Sequence, residues 1–311
     1  MENQRQLVYI LKIAEEQSIS LAAKKLFISQ PSLSQLLQGV EEKVGSPLFD
    51  RSSLPLRPTY IGQLYLETAR QILDLSEQFH QKADDVLQLR RGRLAIGSSP
   101  ARSTYLLAAF IAGFQKKYPD IELVLRESTT LQLEGMAQSG QTDVSISLLP
   151  ISRTAFSYEE LFQEQLLLAL PPTHSFCREH HLQPGQICSD MTVKLADFQE
   201  MSFILMQSEQ KLHHTLLKLC DENGFKPHIL LETRSMEAAQ ALVGAGLGAT
   251  LLPDTLIRAS HPDQAPCYVE LDGKPARTVI VAWRRERYLS HAAREFIRQL
   301  KLFCGKKENG R

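Results

Sequence analysis

The stretch LAAKKLFISQPSLSQLLQGVEEKVG, residues 21–45, is helical in pattern at both ends and interrupted in its middle. Ser18 precedes it as a candidate N-cap for the first helix, and Pro31 suits the first turn of a second one, where its missing N–H costs no hydrogen bond. Apolar residues then recur at spacings of four, three and four and predict one buried stripe, namely Leu33, Leu37, Val40 and Val44. Two short helices joined by a tight turn predict a helix-turn-helix, whose second helix enters the major groove of DNA.

The second helix is rich in Ser and Gln and carries no charge between Ser29 and Val40. Hydroxyl and amide groups can hydrogen-bond to phosphates and base edges without the cost of desolvating a charge. We therefore expect the DNA-binding residues of this helix to be Ser29, Gln30, Pro31, Ser32, Ser34 and Gln35. The alternative interpretation is an ordinary solvated polar face.

The segment after this helix is punctuated by prolines. Leu54 and Leu56 alternate around them, which predicts a short β-wing. Arg51 and Arg57 on that wing are expected to reach flanking phosphates. Thr59 is expected to cap the helix that follows, and it completes the predicted DNA-binding set.

Residues 1–90 resemble the N-terminal part of LysR-type transcriptional regulators. The family positions found in register are Ser18, Ala22-Ala23, Leu26, Ser29-Gln30-Pro31, Ser34, Val40-Glu41, Gly45, Leu48-Phe49-Asp50-Arg51, and Pro58-Thr59 before Gly62. Val40 stands where the family usually has Leu, and Ile61 stands where it usually has a small residue. The resemblance implies a regulator that binds double-stranded promoter DNA in a sequence-specific manner, responds to a small-molecule effector and contacts RNA polymerase.

Residues 60–90 predict one long linker helix, because they contain no proline and, after Gly62, no glycine. A heptad-like seam runs along it at spacings of three and four, and the residues expected to mediate dimerisation are Tyr65, Ile72, Leu75, Phe79 and Val86. The alternative is a helix that lies on the core of its own domain. The family resemblance implies antiparallel pairing of such helices in a homodimer or homotetramer. Residues 90–93 are expected to form a basic hinge.

From residue 91 onward, strand-like and helix-like segments alternate, which predicts a parallel α/β sheet. This part resembles the effector-binding portion of the same family, in which two α/β subdomains are joined by two crossovers, like type 2 periplasmic binding proteins. The positions that carry the resemblance are Tyr118-Pro119, Gly140 with Asp143, Glu164, Phe225 with Pro227, and Gly246-Leu247-Gly248 before Leu252-Pro253. We place the crossovers near residues 161 and 268.

The predicted organisation has three parts: a winged helix-turn-helix domain at 1–59, a linker and dimerisation helix at 60–90, and an effector-binding domain at 91–311. Within the last, subdomain I is expected to comprise 91–161 and 268–311, and subdomain II to comprise 162–267.

The effector is expected beyond the carboxyl ends of the strands, between the two subdomains. Ser98-Ser99 and Thr129-Thr130 lie where a strand gives way to a helix, and the N–H groups at a helix start favour an anion. Gln207 and Ser208 are expected to face them, and Arg102 could supply a cation. The predicted effector-binding set is Ser98, Ser99, Arg102, Thr129, Thr130, Gln207, Ser208 and Gly246. Plain N-capping is the alternative role for each hydroxyl residue.

Charge and composition narrow the function classes. The chain has 35 Lys and Arg against 35 Asp and Glu, so DNA binding must depend on a few well-placed cations rather than on a bulk positive field. The apolar runs are too short to cross a bilayer, so no membrane association is expected. The N-terminus lacks a signal-peptide pattern, and the five cysteines are scattered, which together indicate a reducing, cytoplasmic compartment.

Two other function classes compete with a transcription regulator. One is a cytoplasmic small-molecule receptor whose N-terminal domain mediates protein contacts, and the other is an α/β enzyme. No nucleophile–base signature is present, so the chain is not expected to be an enzyme. The adjacent histidine pairs at 180–181 and 213–214 would point about 100° apart on a helix and chelate poorly, so neither a metal nor another cofactor is expected.

Overall fold

The computed structural model describes residues 4–52, 55–86, 92–259 and 262–308, and the side chains of residues 86 and 306–308 lie outside this description. The chain forms two compact units: the first comprises residues 1–89 with 139–141, and the second comprises 90–138 with 142–311. Of the predicted hinge, residues 90 and 91 lie outside the described residues, as do Leu54 of the wing and the side chain of Val86. None of the described helices is both long enough and apolar enough to cross a membrane.

The first unit is the predicted winged helix-turn-helix. Its elements are α1 (Gln4–Glu16), α2 (Ile19–Lys25), α3 (Gln30–Val44), the antiparallel strands β1 (Phe49–Asp50) and β2 (Arg57–Pro58), and α4 (Tyr60–Val86). The Ser18 side chain accepts a hydrogen bond from the Leu21 N–H and caps α2, and Ser29 caps α3 in the same way through the Ser32 N–H. Both helix starts therefore follow from the local sequence signals.

The core of this unit explains why two small residues stand together in α2. Ala22 and Ala23 are fully buried and let α2 approach α1 and α3 closely. Leu33, Leu37 and Val40 are buried in the same core, as predicted. The prediction for Val44 is wrong: its side chain is 38% exposed, because the core ends before the last turn of α3.

The linker helix α4 has two different faces. Leu66 and Ala69 are buried, and Leu66 belongs to the core that α1 shares, so the first half of α4 lies on its own domain. On a second face of the helix, Ile72, Leu75 and Phe79 are 41%, 66% and 67% exposed. The first half of the helix thus packs on its own domain, and the exposed face stays a candidate for the predicted dimerisation seam.

The second unit begins with alternating strands and helices. They are β3 (Gly92–Ser98), α5 (Pro100–Arg102), a π-helical turn (Ser103–Leu107), α6 (Ala108–Lys117), β4 (Ile121–Glu127), α7 (Thr130–Gln138) and β5 (Val144–Leu148). A long strand, β6 (Phe156–Leu170), then leads to α8 (Ser175–Glu179), β7 (Ile187–Val193), β8 (Ser202–Met206), α9 (Lys211–Glu222), β9 (His228–Thr233) and α10 (Met236–Gly244). The remaining elements are β10 (Thr250–Pro253), α11 (Asp254–Ala259), β11 (Cys267–Leu271), β12 (Ala276–Arg284) and α12 (His291–Glu308).

The main sheet is mixed rather than parallel, which corrects the sequence-based expectation. Its order is β4-β3-β5-β12-β6-β11-β7, and β10 also pairs with β6. β3 is parallel to β4 and β5, but β12 is antiparallel to both β5 and β6. The antiparallel pairs arise because the chain passes between the subdomains along strands of this sheet.

The two crossovers can be located from the two cores. Leu161 of β6 lies in the core of subdomain I, whereas the residues from Leu166 onward lie in the core of subdomain II, so the first crossing follows residue 161 closely. The return does not occur at Tyr268, because this side chain is buried in the second core and its hydroxyl accepts a hydrogen bond from the Gln240 amide at 2.6 Å. The chain returns in residues 272–275, between β11 and β12.

Candidate functional site

The start of α3 presents most of the predicted DNA-binding residues to solvent. Ser29, Gln30, Pro31, Ser32 and Gln35 are exposed, and Ser34 is half-buried. Their polar groups are held in short local contacts: the Ser29 and Ser32 hydroxyls are 2.7 Å apart, and the Gln30 amide donates to the Ser34 hydroxyl at 3.1 Å. A row of donors and acceptors with defined positions therefore lies at the end of the helix that a major groove would receive.

Glu41 fastens the wing to α3. One of its carboxylate oxygens accepts the Leu48 N–H at 2.8 Å, and the other accepts the Arg51 guanidinium at 2.7 Å. The side chain of Arg51 is nevertheless 58% exposed, and a guanidinium has five N–H groups to offer. Glu41 thus orients Arg51, and Arg57 is exposed on the paired strand.

Thr59 has a structural role that competes with DNA contact. Its hydroxyl donates to the Pro47 carbonyl at 2.8 Å and accepts the Gly62 N–H at 3.0 Å, which caps α4. Gly62 is required here because a Cβ atom would lie 1.9 Å from the Leu48 carbonyl oxygen. Thr59 therefore fixes the junction between the wing and the linker helix.

A cleft of about 480 Å³ lies between the two subdomains of the second unit. Five predicted residues line it: Ser99, Arg102, Thr129, Thr130 and Gln207. The Ser99 hydroxyl accepts the Arg102 N–H and the Thr129 hydroxyl accepts the Gln132 N–H, both at 3.4 Å. These hydroxyls thus have the capping geometry of the alternative interpretation, but with long bonds, and they face the cleft as well.

Three predicted effector-binding residues do not line the cleft. Ser98 ends β3 with its side chain fully buried, because successive strand residues point to opposite faces of the sheet. Ser208 is exposed outside the cleft lining. Gly246 follows the C-terminal end of α10 and lines a separate surface depression with Leu230, whereas the N-terminal end of α10, at Ser235, faces the cleft.

The cleft also contains residues that the sequence reasoning missed. Arg277, Lys211, Arg234, Ser128 and Ser235 all line it. Ser235 also caps α10, because its hydroxyl accepts the Ala238 N–H. Nothing in the sequence signals Arg277, because it reaches the cleft from β12, more than a hundred residues away from its partner in β6.

A buried ion triad forms the floor of the cleft. The carboxylate of Glu164 accepts hydrogen bonds from the guanidinium groups of Arg102, at 2.7 Å, and Arg277, and from the Thr255 hydroxyl at 2.8 Å. Each arginine side chain is 12% exposed and Glu164 is 3% exposed. Two positive charges therefore share one negative charge, which leaves one buried positive charge at the cleft. The Arg102 Nε atom is also buried without a hydrogen-bond partner within the described residues.

The ionisation of the triad follows from burial and from the neighbouring charges. Burial by itself raises the pKa of Glu164, but the charges of Arg102 and Arg277, with the hydrogen bond from Thr255, outweigh burial and hold this pKa below its ordinary value. Burial lowers the pKa of Arg102, and the Glu164 carboxylate opposes the shift. The guanidinium nevertheless stays charged near neutral pH, since its ordinary pKa is so high.

Two sets of contacts join the subdomains across the cleft. The Lys211 ammonium of subdomain II donates to the Leu148 and Pro150 carbonyls of subdomain I at 2.8 Å each. Burial lowers the pKa of Lys211, and the carboxylate of Glu134 opposes the shift. On the other side, the Tyr105 hydroxyl donates to the Glu237 carboxylate at 3.0 Å. These contacts hold the subdomains in the arrangement of this structure.

A second cavity, of about 250 Å³, shares Arg102 and Arg277 with the cleft. Its other walls are mainly apolar and include Tyr105, Phe162 and Leu256. The two arginines thus lie in the walls of both cavities. Among the described residues, no three His, Cys, Asp or Glu side chains are grouped so that they could hold a metal ion.

Both units match known protein families. Residues 4–63 match the family described as "Bacterial regulatory helix-turn-helix protein, lysR family", and residues 87–304 match "LysR substrate binding domain". The chain is 30% identical over 301 residues to "Uncharacterized HTH-type transcriptional regulator YcgK" of Bacillus subtilis (strain 168), covering 93% of this chain and 91% of that protein.

Solved structures of full-length regulators have a similar fold. HinK, described as a LysR family transcriptional regulator from Pseudomonas aeruginosa, has 25% sequence identity and a TM-score of 0.58 over 98% of this chain and 100% of that one. Full-length CbnR, which was solved in complex with its target DNA, has 22% identity and a TM-score of 0.68 over 97% of this chain and 99% of that one. At this identity the likeness to CbnR shows a shared fold.

Proposed function

Because this chain belongs to the LysR family of DNA-binding transcriptional regulators, we propose that it reads promoter DNA with the start of α3 and responds to a small organic anion in the cleft of its second unit. The observation that carries the proposal is the buried triad, in which Arg102 and Arg277 share the single carboxylate of Glu164. An anion that enters the cleft would offset the remaining positive charge without itself needing a new cation.

The rest of the lining supports an anionic effector over a neutral or cationic one. Four cationic side chains line the cleft, those of Arg102, Lys211, Arg234 and Arg277, against two carboxylates, those of Glu209 and Glu237. The hydroxyls of Ser99, Ser128 and Thr129 add short donors on one wall. A compact carboxylate or phosphate with a few further polar groups fits both the charge and the volume of about 480 Å³.

The contacts across the cleft suggest how binding could be converted into a response. Lys211 and the Tyr105–Glu237 pair join the subdomains at the edges of the cleft, so an effector that replaces or reinforces these bonds binds the open and closed arrangements unequally. Only such unequal affinity can shift a conformational equilibrium. The change would reach the DNA-reading unit through the segment that follows α4.

We propose self-association through the exposed apolar face of α4, in a homodimer or homotetramer. Ile72, Leu75 and Phe79 form a stripe along one face of this helix, and three such side chains together in solvent are unfavourable unless a partner covers them. A cytoplasmic location, where the five free thiols stay reduced, and contact with RNA polymerase at the promoter complete the proposal.

The direct test of DNA binding is a gel shift with the full-length protein and DNA upstream of its own gene, at several salt concentrations. We expect a shift whose affinity falls steeply with salt, as phosphate contacts require. The effector is sought in parallel by native mass spectrometry of protein purified from its own cells. An added mass that disappears in Arg277→Ala supports the cleft, whereas an added mass that this variant retains would place the ligand elsewhere.

A further inference from the structure

One side chain of the helix-turn-helix stands almost wholly in solvent. Phe27 is 95% exposed, more than any other large hydrophobic residue in the described part of the chain. It occupies the turn between α2 and α3, two residues before the N-cap Ser29. Burial against the described residues therefore does not account for an aromatic residue at this position.

The backbone of the turn does not account for it either. The Phe27 N–H donates to the Lys24 carbonyl and the Ile28 N–H donates to the Ala23 carbonyl, which together form the Schellman motif that ends α2. Phe27 therefore adopts a left-handed conformation, with φ of 56°. Gly is the usual residue there, because a Cβ is crowded in this conformation, and Asn tolerates it because its short polar side chain can hydrogen-bond locally. Ile28 supplies the hydrophobic contact that accompanies the motif, since it packs on the core.

The surroundings of Phe27 favour DNA over an apolar protein surface as the partner. Lys24, in the last turn of α2, and Gln30, the first residue of α3, are both exposed on either side of it. A cation and an amide beside the ring suit a polyanion with polar base edges. In a helix-turn-helix, the turn before the second helix lies next to the groove that this helix enters.

We propose that Phe27 contacts the C5-methyl group of a thymine at the edge of the site that α3 reads. The phenyl ring has no donor or acceptor for a phosphate or for the polar atoms of a base. The thymine methyl is the apolar group that the major groove offers, and Phe is among the residues that contact it. This inference rests on DNA reading by α3 and extends it by a preference for an A·T pair at one flanking position.

The test uses the full-length protein and a binding site selected from random duplexes by the parent protein. Each thymine of the site is replaced singly by deoxyuridine, which removes only the methyl group, and the dissociation constant is measured for the parent, Phe27→Ala and Phe27→Asn. We expect one replacement to weaken the parent by about fourfold, the factor for burial of one methyl-sized group, and to leave both variants unchanged. Leu21→Ala, which truncates another exposed apolar side chain of the same motif, should keep the parent's response.

The Asn substitution serves as the control for correct folding. Because Asn tolerates the left-handed conformation, Phe27→Asn should unfold at the same temperature as the parent or at a higher one. A parent that enriches no sequence would overturn both the reading of DNA by α3 and this inference. If the parent enriches a site but no thymine loses its methyl effect in the Phe27 variants, or if Phe27→Ala weakens selected and random DNA equally, only the role of Phe27 is overturned.

Discussion

Glu164 holds together a group of charges that would otherwise repel. Arg102 and Arg277 approach each other only because this carboxylate lies between them, and all three side chains are mostly withdrawn from water. Buried pairs of this kind add little stability compared with apolar residues, but the loss of one partner leaves an uncompensated charge. We therefore expect the exchange of the Glu164 carboxylate for an amide to have a large effect on the stability of the second unit.

We expect Glu164→Gln to lower the free energy of unfolding of the second unit by about 3–5 kcal/mol at neutral pH, because two buried guanidiniums lose their counter-charge. Urea unfolding at pH 7 measures this effect. Glu222→Gln is the matched control, since Glu222 pairs with Lys218 at the surface and its loss should cost less than about 1 kcal/mol. Equal effects of the two substitutions would show that the triad is not the sensitive element.

The ion triad around Glu164 also predicts that the stability of the second unit depends on pH. The pKa of Glu164 is lower in the folded protein than in the unfolded chain, so its stabilising contribution is complete above the unfolded pKa and is lost as the pH falls through the folded one. We expect the parent to lose stability below about pH 4.5 more steeply than Glu164→Gln, which has no such group. Parallel unfolding curves for the two proteins between pH 5 and pH 3 would contradict this assignment.

Gln30 and Arg51 separate two kinds of DNA contact. Gln30→Ala should weaken a specific site more than random DNA, by about 1–3 kcal/mol if the amide makes a good base contact. Arg51→Ala should weaken both about equally, because a phosphate contact carries no sequence information. Competition gel shifts with specific and random duplexes measure the difference, and equal losses for Gln30→Ala would refute its predicted role.

At the scale of the element, α4 has two apolar faces, one packed on its own domain and one exposed to solvent. Leu66 lies in the core that α1 shares and Ala69 is also buried, whereas Leu75 and Phe79 are exposed to solvent. On an α-helix these two faces lie about a third of a turn apart, so both can be apolar without forming one continuous stripe.

The two faces predict different results for the same chemical change. Leu66→Ala should lower the stability of the first unit by about 2–5 kcal/mol through the cavity that it leaves. Leu75→Ala should leave that stability nearly unchanged and weaken self-association, which analytical ultracentrifugation over a range of protein concentrations can measure. If Leu75→Ala and Phe79→Ala both associate like the parent, the exposed stripe of α4 is not the interface.

The elements also show which features a sequence can predict. The helix-turn-helix was predictable because its signals are local: Ser18 and Ser29 cap the helices that follow them, and Pro31 lies in the first turn of α3. The cleft was predictable in part, because Ser99 and Thr129 precede helices on one wall and Gln207 follows a strand on the other. Arg277 was not, because its position depends on the pairing of β12 with β6, which no local pattern specifies.

At the scale of the whole molecule, the second unit consists of two subdomains with a cleft between them, and we propose this cleft as the effector site. The contacts of Lys211 and of Tyr105 with Glu237 cross the cleft, so we expect closure of the cleft to be linked to binding within it. The predicted DNA-binding residues and the cleft lie in separate units, so a substitution in the cleft can be tested with the DNA-binding unit unchanged.

We expect Ser99→Tyr and Thr129→Tyr to abolish the effector response in a reporter assay while DNA binding without effector and self-association stay intact, because each adds bulk to the cleft. Ser208→Tyr is the matched control, since it adds the same ring at an exposed position outside the lining. A normal response in both cleft variants would show that the effector binds elsewhere.

The continuous strand β6 has a consequence for how this protein can diverge in evolution. It pairs with β12 along its first ten residues and with β10 and β11 along its last five, so it belongs to both subdomains without an intervening loop. Leu161 is already an additional residue against β12, between the partners of Val279 and Ile280. One further insertion or deletion would turn every later side chain to the opposite face and move Glu164 away from its two arginines. Related proteins can therefore differ in the lengths of their loops, but we expect the number of residues in β6 before Glu164 to stay constant.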